Sequence, residues 1–265
     1  MPPGSSDPRA TLVFAHRGSS AALPEHTLDA YERAIEEGAD GLECDVRLTR
    51  DGHLVCIHDR RLDRTSDGRG LVSARTLDQL ADLDFGSWHS TRRPPARSSR
   101  AGVLTLDRLI TTAMGAGRPL RLLIETKHPS RYGTAVELRL VELLARHGLT
   151  AVDPKAPVQV TVMSFAPLAI RRIRALAPAL PTAFLFEVLP PVLRTGRPPF
   201  GASVLGPAVA AVRANPDLVR RAHQRGHQVY VWTVNKPDDV DLVLSLGVDG
   251  VITDDPAYVM SRCGR

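Results

Sequence analysis

Glu43, Asp45 and His58 are residues whose types and spacing could do chemistry together. They lie in Gly41-Leu-Glu-Cys-Asp-Val-Arg-Leu-Thr-Arg50 and His53-Leu-Val-Cys-Ile-His-Asp59, two β-rich runs joined by Asp51-Gly52. Asp-Gly in that setting is the strongest short-range signal for a two-residue type I′ turn. Such a turn pairs Arg50 with His53, Leu48 with Val55, Val46 with Ile57 and Asp45 with His58. Side chains alternate along a strand, so Glu43 shares the face of Asp45. Two carboxylates and an imidazole are then expected side by side. Carboxylate oxygens suit a hard divalent cation, and a neighbouring histidine can move protons near neutral pH. In outline this is a metal-assisted hydrolytic site.

The elements that must position these groups are legible from apolar β-rich runs alternating with helical patterns. Strands are expected near Leu12–His16, Gly41–Val46, Leu120–Thr126, Val158–Ser164, Thr182–Phe186, Ser203–Gly206, Gln228–Thr233 and Gly250–Thr253. Helical patterns fill Thr27–Glu37, Leu106–Ala116, Tyr132–Arg146, Pro167–Ala175, Pro216–Gln224 and Pro237–Leu246. Gly38, Gly148, Gly226 and Gly247 stand where helix C-caps favour glycine. Eight strands alternating with helices predict an α/β fold, a (β/α)8 TIM barrel forming a single domain over residues 1–265. The hairpin arm Leu54–His58 follows its strand without a helix, so it reads as a β-hairpin extension above the barrel. Residues 59–102 then form a small inserted cap segment, with Arg92–Arg100 its most irregular part, placed to cover the catalytic face and select substrate. The Pro-rich loop Leu189–Phe200 is expected on that face too, and residues 1–10 as a disordered tail.

Barrel active sites form at the C-terminal ends of the strands. Four groups fall there: His16-Arg17-Gly18, Glu43 with Asp45, Glu125 with Lys127, and Trp232. Glu125 can complete a three-carboxylate set with Glu43 and Asp45, and such a set needs a cation or basic partners to offset its repulsion. Arg17 and Lys127 are placed to neutralise a phosphate, the first as a flat bidentate donor and the second as a point charge. His16 and His58 make an acid–base pair beside it. Each has a plainer alternative. A strand-end carboxylate is often a cap or ion-pair partner, His16 fits a hydrogen-bonded barrel rim, and His58 can bond the turn. Trp232 suits barrel core as well as a substrate wall. The other histidines, His26 and His128 among them, read as surface or capping residues.

Composition narrows the partners. The net charge is +5 from 34 basic and 29 acidic residues, which favours anionic ligands weakly. Scattered arginines and 5% aromatics argue against nucleic acid, since no reader motif or stacking platform is present. The three cysteines offer no disulfide framework. Cys44 is expected to face apolar packing, and Cys56 to lie across from Arg47. No run of 18 apolar residues and no apolar leader occurs, so no membrane insertion is expected and a reducing, cytoplasmic setting is the simplest. Oligomeric state is not encoded in any pattern here.

These segments together resemble the glycerophosphodiester phosphodiesterases. The matching residues are His16-Arg-Gly-Ser-Ser with Pro24-Glu-His-Thr27, the hairpin Gly41–Gly52, Ile57-His-Asp59, and Leu62-Asp-Arg-Thr-Ser-Asp-Gly-Arg-Gly70. They continue through Ile124-Glu-Thr-Lys127, Val231-Trp-Thr-Val-Asn235 and Gly250-Val-Ile-Thr-Asp-Asp-Pro256. The motifs run in order over nearly the whole chain, and His-Arg-Gly, Glu-x-Asp and Glu-x-Lys are specific in combination. The resemblance implies a barrel with an inserted cap, a divalent Mg²⁺ or Ca²⁺, and hydrolysis of small-molecule glycerophosphodiesters to glycerol 3-phosphate and an alcohol. It also implies His16 and His58 as catalytic histidines, Glu43, Asp45 and Glu125 as metal ligands, and Arg17 and Lys127 as phosphate holders. His26 stands where that family usually has Asn, Val103 where it often has Pro, and Thr126 where it usually has Ile. Two other readings compete. One is phospholipase D-type action on lysophospholipid or sphingomyelin, disfavoured because Arg92–Arg100 and Leu189–Phe200 offer few large apolar residues. The other is a non-catalytic phosphate-ester binding barrel, disfavoured because no chemical position is lost.

Overall fold

The computed structural model describes residues 11–89, 101–153 and 155–265. In chain order its strands are β1 (Leu12–His16), β2 (Gly41–Leu48), the short β3 (Leu54–Cys56), β4 (Leu120–Thr126), β5 (Val158–Ser164), β6 (Thr182–Phe186), β7 (Val204–Pro207), β8 (Gln228–Val231) and β9 (Gly250–Thr253). All but β3 run parallel, each bonded to its neighbours, and β1 pairs with both β9 and β2, which closes an eight-stranded barrel. The helices are α1 (Leu28–Glu36), α2 (Leu77–Ala81), α3 (Leu106–Met114), α4 (Ala135–Arg146), α5 (Pro167–Leu176), α6 (Val209–Ala214), α7 (Asp217–His223), α8 (Pro237–Ser245) and α9 (Pro256–Arg262). The (β/α)8 TIM barrel expected from the alternation is present.

One turn differs from expectation. The ladder pairs Val46 with Cys56, Arg47 with Val55 and Leu48 with Leu54, one residue off the register of a two-residue turn. The loop is Arg50–Gly52: Thr49 N donates to His53 O at 2.9 Å, Gly52 N donates to Thr49 O at 3.2 Å, and Gly52 takes φ 87°. A three-residue loop with a left-handed last residue is the next commonest hairpin connection. Thr49 selects it, because its hydroxyl donates to Asp51 Oδ1 at 2.6 Å and accepts from His53 N at 2.9 Å. Cys56 therefore faces Val46 rather than Arg47. A one-residue slip would turn His58 away from Asp45 if the ladder ran on. The strand stops at Cys56, however, and Ile57 N donates to Asp45 O at 3.0 Å, so His58 leaves the ladder close to the strand end.

The insertion is a small packed unit. Leu62, Val72, Leu80 and Phe85 cluster with Val55 and Ile57 of the hairpin. Leu62 and Leu80 are fully buried, and burying a leucine stabilises by about 1.5–3 kcal/mol. Thr76 and Gln79 form a reciprocal capping box that starts α2. The irregular segment Arg92–Arg100, like the tail at 1–10, lies outside the described residues.

The connection after β6 is the Pro-rich loop the sequence suggests. It has no α-helix, only 3₁₀ turns at Pro191–Leu193 and Pro199–Gly201. Prolines at 190, 191, 198 and 199 remove backbone donors and stop a longer helix. This loop starts at the catalytic face, but Gly201 packs beside the Arg174 side chain on α5, so only its first part borders the mouth.

Inside the barrel, Phe14, Leu123, Met163, Leu185, Tyr230 and Ile252 form an apolar plug, with Phe14 and Tyr230 rings 5.2 Å apart. Two residues further along β1 and β4, the same inward face presents His16 and Glu125.

Candidate active site

β1 ends at His16, and the chain then turns sharply, with Arg17 at φ 59° and Gly18 at φ 87°. A Cβ on Gly18 would lie 2.7 Å from Ala30 on α1, so glycine alone fits. Thr27 starts α1 as its N-cap, its hydroxyl accepting from Ala30 N, a contact worth about 1 kcal/mol. This turn brings Arg17 over the ends of β1 and β2. Parallel pairing sets His16 beside Glu43, and Asp45 beside Glu125. Glu43, Asp45 and Glu125 are buried, with ligand oxygens all within 4.8 Å of one another. Such an all-oxygen set suits a hard cation.

Two basic side chains share the space. Lys127 Nζ is 2.8 Å from Glu125 and 3.4 Å from Asp45, and Arg17 Nε is 3.0 Å from Asp45. Burial pushes Glu43 well above the carboxylate range, and Asp45 adds to it. Glu125 is pushed up to about 8 by burial and by Asp45, against the pull of Lys127. Asp45 goes the other way. Burial opposes its charge, but the hydrogen bond from His26 and the charges of Arg17 and Lys127 hold it well below the usual range. Three carboxyls thus share fewer than three charges until a cation enters.

Each catalytic candidate histidine is held by its own carboxylate. His16 Nδ1 lies 2.6 Å from Asp254 Oδ1, and His58 Nδ1 lies 2.7 Å from Asp59 Oδ1. An ionised carboxylate only accepts, so Nδ1 carries the hydrogen in both and Nε2 is left for proton exchange. Asp254 is fixed in turn by Ser20 Oγ and Asn235 Nδ2, and Asp59 by Arg64 Nε at 2.7 Å. Despite burial, the bonds from Arg64 and His58 lower Asp59 to about 2. Burial, then the nearby Arg17 and Lys127, lowers His58 below its ordinary value. Arg64 also bonds Glu25 at 2.7 and 2.8 Å, and Glu25 pairs with Arg17 at 3.0 Å, which ties the insertion to the first turn.

Two histidines are not where the sequence suggests. His26 is buried, with Nε2 3.0 Å from Asp45 and Nδ1 2.8 Å from the Tyr31 hydroxyl. The reason is the turn at Gly18, which folds His26 back over the end of β2. His128 bonds the fully buried Glu137 at 2.6 Å rather than facing water. Sequence reasoning also missed Asp59, Asp254 and Glu25 as orienting groups. Adjacency to His58 and the Asp254-Asp-Pro256 motif were the available signals.

Trp232 is half-buried, with Nε1 donating to Gly206 O at 2.8 Å, and its ring meets Phe165 edge-on at 5.3 Å. Lys127 Nζ sits 5.9 Å from the Phe165 ring centre. Trp232 is therefore both wall and packed rim. The connection after β6 exposes more apolar surface than the sequence suggested: Val188 is 79% and Val192 74% exposed.

The chain matches the model of the Glycerophosphoryl diester phosphodiesterase family over residues 16–258. It belongs to that family. A Mycobacterium tuberculosis protein named "Probable glycerophosphodiester phosphodiesterase 1" is 48% identical over 245 residues, 92% of this chain and 89% of that one. A Bacillus subtilis glycerophosphodiester phosphodiesterase is 34% identical over 256 residues, 94% and 85% of the two chains. An Oleispira antarctica phosphodiesterase, solved with its product sn-glycerol-3-phosphate, superposes with TM-score 0.80 at 26% identity, covering 96% of this chain and 97% of that one. Membership brings the reaction class, hydrolysis of glycerophosphodiesters. No helix among the described residues is long and apolar enough to cross a membrane.

Proposed function

We propose that Glu43, Asp45 and Glu125 hold one Mg²⁺ or Ca²⁺ and that His16 and His58 carry the protons for hydrolysis of a glycerophosphodiester to glycerol 3-phosphate and an alcohol. The observation that carries this is the convergence of three buried carboxylates with two histidines, each oriented through Nδ1 by its own aspartate. A cation held there would supply Lewis-acid stabilisation of charge on a phosphate oxygen. Arg17 and Lys127 offset charge building on the same phosphate. Of the two histidines, one accepts a proton from the attacking oxygen through Nε2 and the other gives one to the departing alcohol. His58, lowered by burial, is suited to the first role near neutral pH. Asp59 and Asp254 keep the reacting nitrogens aimed. Trp232 and Phe165 wall the pocket. The insertion over 59–102 acts as a cap on the same domain, joined to the site through Arg64.

The test is turnover of glycerophosphocholine by metal-stripped protein. Activity should vanish on chelation and return with Mg²⁺ or Ca²⁺. Full activity after exhaustive chelation would sink the metal assignment.

One observation favours a second substrate class. Phe165 and Leu168 just after β5 and Val188 just after β6 are exposed, with Leu168 at 48%, and an acyl chain could lie along such a surface. Lysophosphatidylcholine hydrolysed faster than glycerophosphocholine would favour the phospholipase D-type activity.

A further inference from the structure

Large apolar side chains reach solvent mostly in one layer outside β5 and β6. Nine are exposed among the described residues, and six of them, Phe165, Leu168, Leu176, Val188, Val192 and Phe200, fall on α5 and the connections that flank it and β6. These pieces pack as a unit. Ile170 of α5 shares a buried cluster with Leu189, Leu193 and Ala202 of the loop after β6, and Gly201 lies beside the Arg174 side chain. Along α5, Leu168, Arg171 and Ala175 make an exposed helical stripe, while Ala169, Ile170 and Ile173 are buried. The layer begins at the catalytic mouth, where Phe165 meets the Trp232 ring at 5.3 Å.

The same stretch carries most of the net charge. Residues 165–200 hold five arginines, no lysine and one acid, Glu187, and so account for four of the chain's five net positive charges. Arg172 lies 3.9 Å from Glu137. Among the described residues, no carboxylate pairs with Arg171, Arg174, Arg194 or Arg197, and all of these but Arg174 are exposed. Phe200 is unusual in its backbone. It takes φ 52°, a left-handed conformation that is costly for a bulky side chain. The residue is nevertheless 47% exposed, so little packing within the chain offsets that cost.

We propose that this layer is a peripheral docking face for an anionic lipid membrane. Apolar side chains interleaved with unmatched guanidinium groups suit that partner on both counts. Leu168, Val192 and Phe200 enter the boundary between head groups and acyl chains. The arginines bond lipid phosphates, each worth about fivefold in partition to an anionic surface. Nucleic acid would engage the arginines and leave the apolar side chains in water. A second copy of the chain would set these arginines against one another. Docking needs no membrane-spanning helix and uses none of the carboxylates or histidines of the active site.

Co-sedimentation of the full chain with lipid vesicles tests this. Wild-type protein should bind vesicles of mixed phosphatidylglycerol and phosphatidylcholine roughly tenfold more tightly than phosphatidylcholine alone, and less tightly at high salt. Arg194→Glu combined with Arg197→Glu should weaken binding to the mixed vesicles by roughly tenfold or more. Phe200→Gly should weaken it by roughly fivefold. Its melting temperature should be no lower than that of the wild type, because glycine adopts positive φ freely. Both variants should hydrolyse glycerophosphocholine in solution at the wild-type rate. No binding to the mixed vesicles, equal binding to both kinds of vesicle, or variants that bind like the wild type would overturn the docking face and leave the hydrolytic reading standing. So would a wild-type dimer that Phe200→Gly dissociates, with no vesicle binding, since a second copy would then cover the face. Failure of the wild type to hydrolyse glycerophosphocholine would overturn the hydrolytic reading and not the docking face.

Discussion

The inward positions at the barrel mouth divide into two arcs. On β9, β1, β2 and β4 they are Asp254, His16, Glu43 with Asp45, and Glu125 with Lys127. On β5 to β8 they are Phe165, Glu187, Gly206 and Trp232. Both arcs stand on the same apolar plug and obey the same two-residue alternation. They differ in what offsets burial. In the first arc, buried carboxylates are matched by Arg17, Lys127 and His26 at 2.8 to 3.4 Å. In the second, the aromatic rings are stabilised by packing, and the acidic Glu187 stays exposed. Buried charges are tolerated only in company, so the chemistry gathers in one arc and the other is left to shape the pocket.

Removing a proton carrier should break the charged arc most severely. His16→Ala and His58→Ala should each lower kcat by about 10²–10⁴ with the fold intact. Turnover within twofold of wild type for either would remove it from the proton path.

Loosening rather than deleting those histidines should cost less. Asp59→Asn and Asp254→Asn should lower kcat by about 10–100-fold, the usual effect of losing a group that sets a histidine tautomer. For Asp59→Asn the pH profile gives a further sign. His58 is held below 6.5 by burial, with Asp59 raising it back in part. The acid limb of kcat/KM should therefore lie below pH 6.5 in the wild type and move lower still in Asp59→Asn. A limb that moves up would mean another group titrates there.

The uncharged arc should respond in binding. Trp232→Ala should raise KM for glycerophosphocholine by roughly tenfold and change kcat less, as for a wall touched equally in ground and transition states. An equal fall in kcat would place Trp232 in the transition state instead.

The smallest effect concerns a residue facing away from both arcs. Thr126 is 1% exposed and its hydroxyl has no partner. Thr126→Val should stabilise by about 1 kcal/mol, since an unmet buried hydroxyl is replaced by a methyl, with kcat/KM unchanged. A lower melting temperature would show that the hydroxyl is satisfied in solution.

The barrel was legible because its strands are long apolar runs. β1, β4, β5, β6 and β9 have the bounds their patterns suggested. The three carboxylates were legible by parity, because an i, i+2 pair on one strand must share a face. What escaped depended on single side chains acting locally. Thr49 lengthened the hairpin turn, and pattern alone favoured Asp-Gly. His26 was unreadable because its place follows from a left-handed turn and not from a periodic element. The packed cluster of the insertion was hidden because Leu62, Val72, Leu80 and Phe85 are spread over irregular chain.

The central claim is that Glu43, Asp45 and Glu125 form one cation site with too many carboxyls for its own charges. Isothermal titration of metal-stripped protein with Mg²⁺ and with Ca²⁺ measures this directly, run at pH 7 in two buffers of different ionisation enthalpy. Glu125, raised to about 8, is largely protonated at that pH without a cation. One ion should bind per chain and displace protons from Glu43 and Glu125, both of which burial keeps protonated, with affinity rising with pH and proton release reduced in Glu125→Gln. No binding by either cation, together with undiminished hydrolysis, would contradict it.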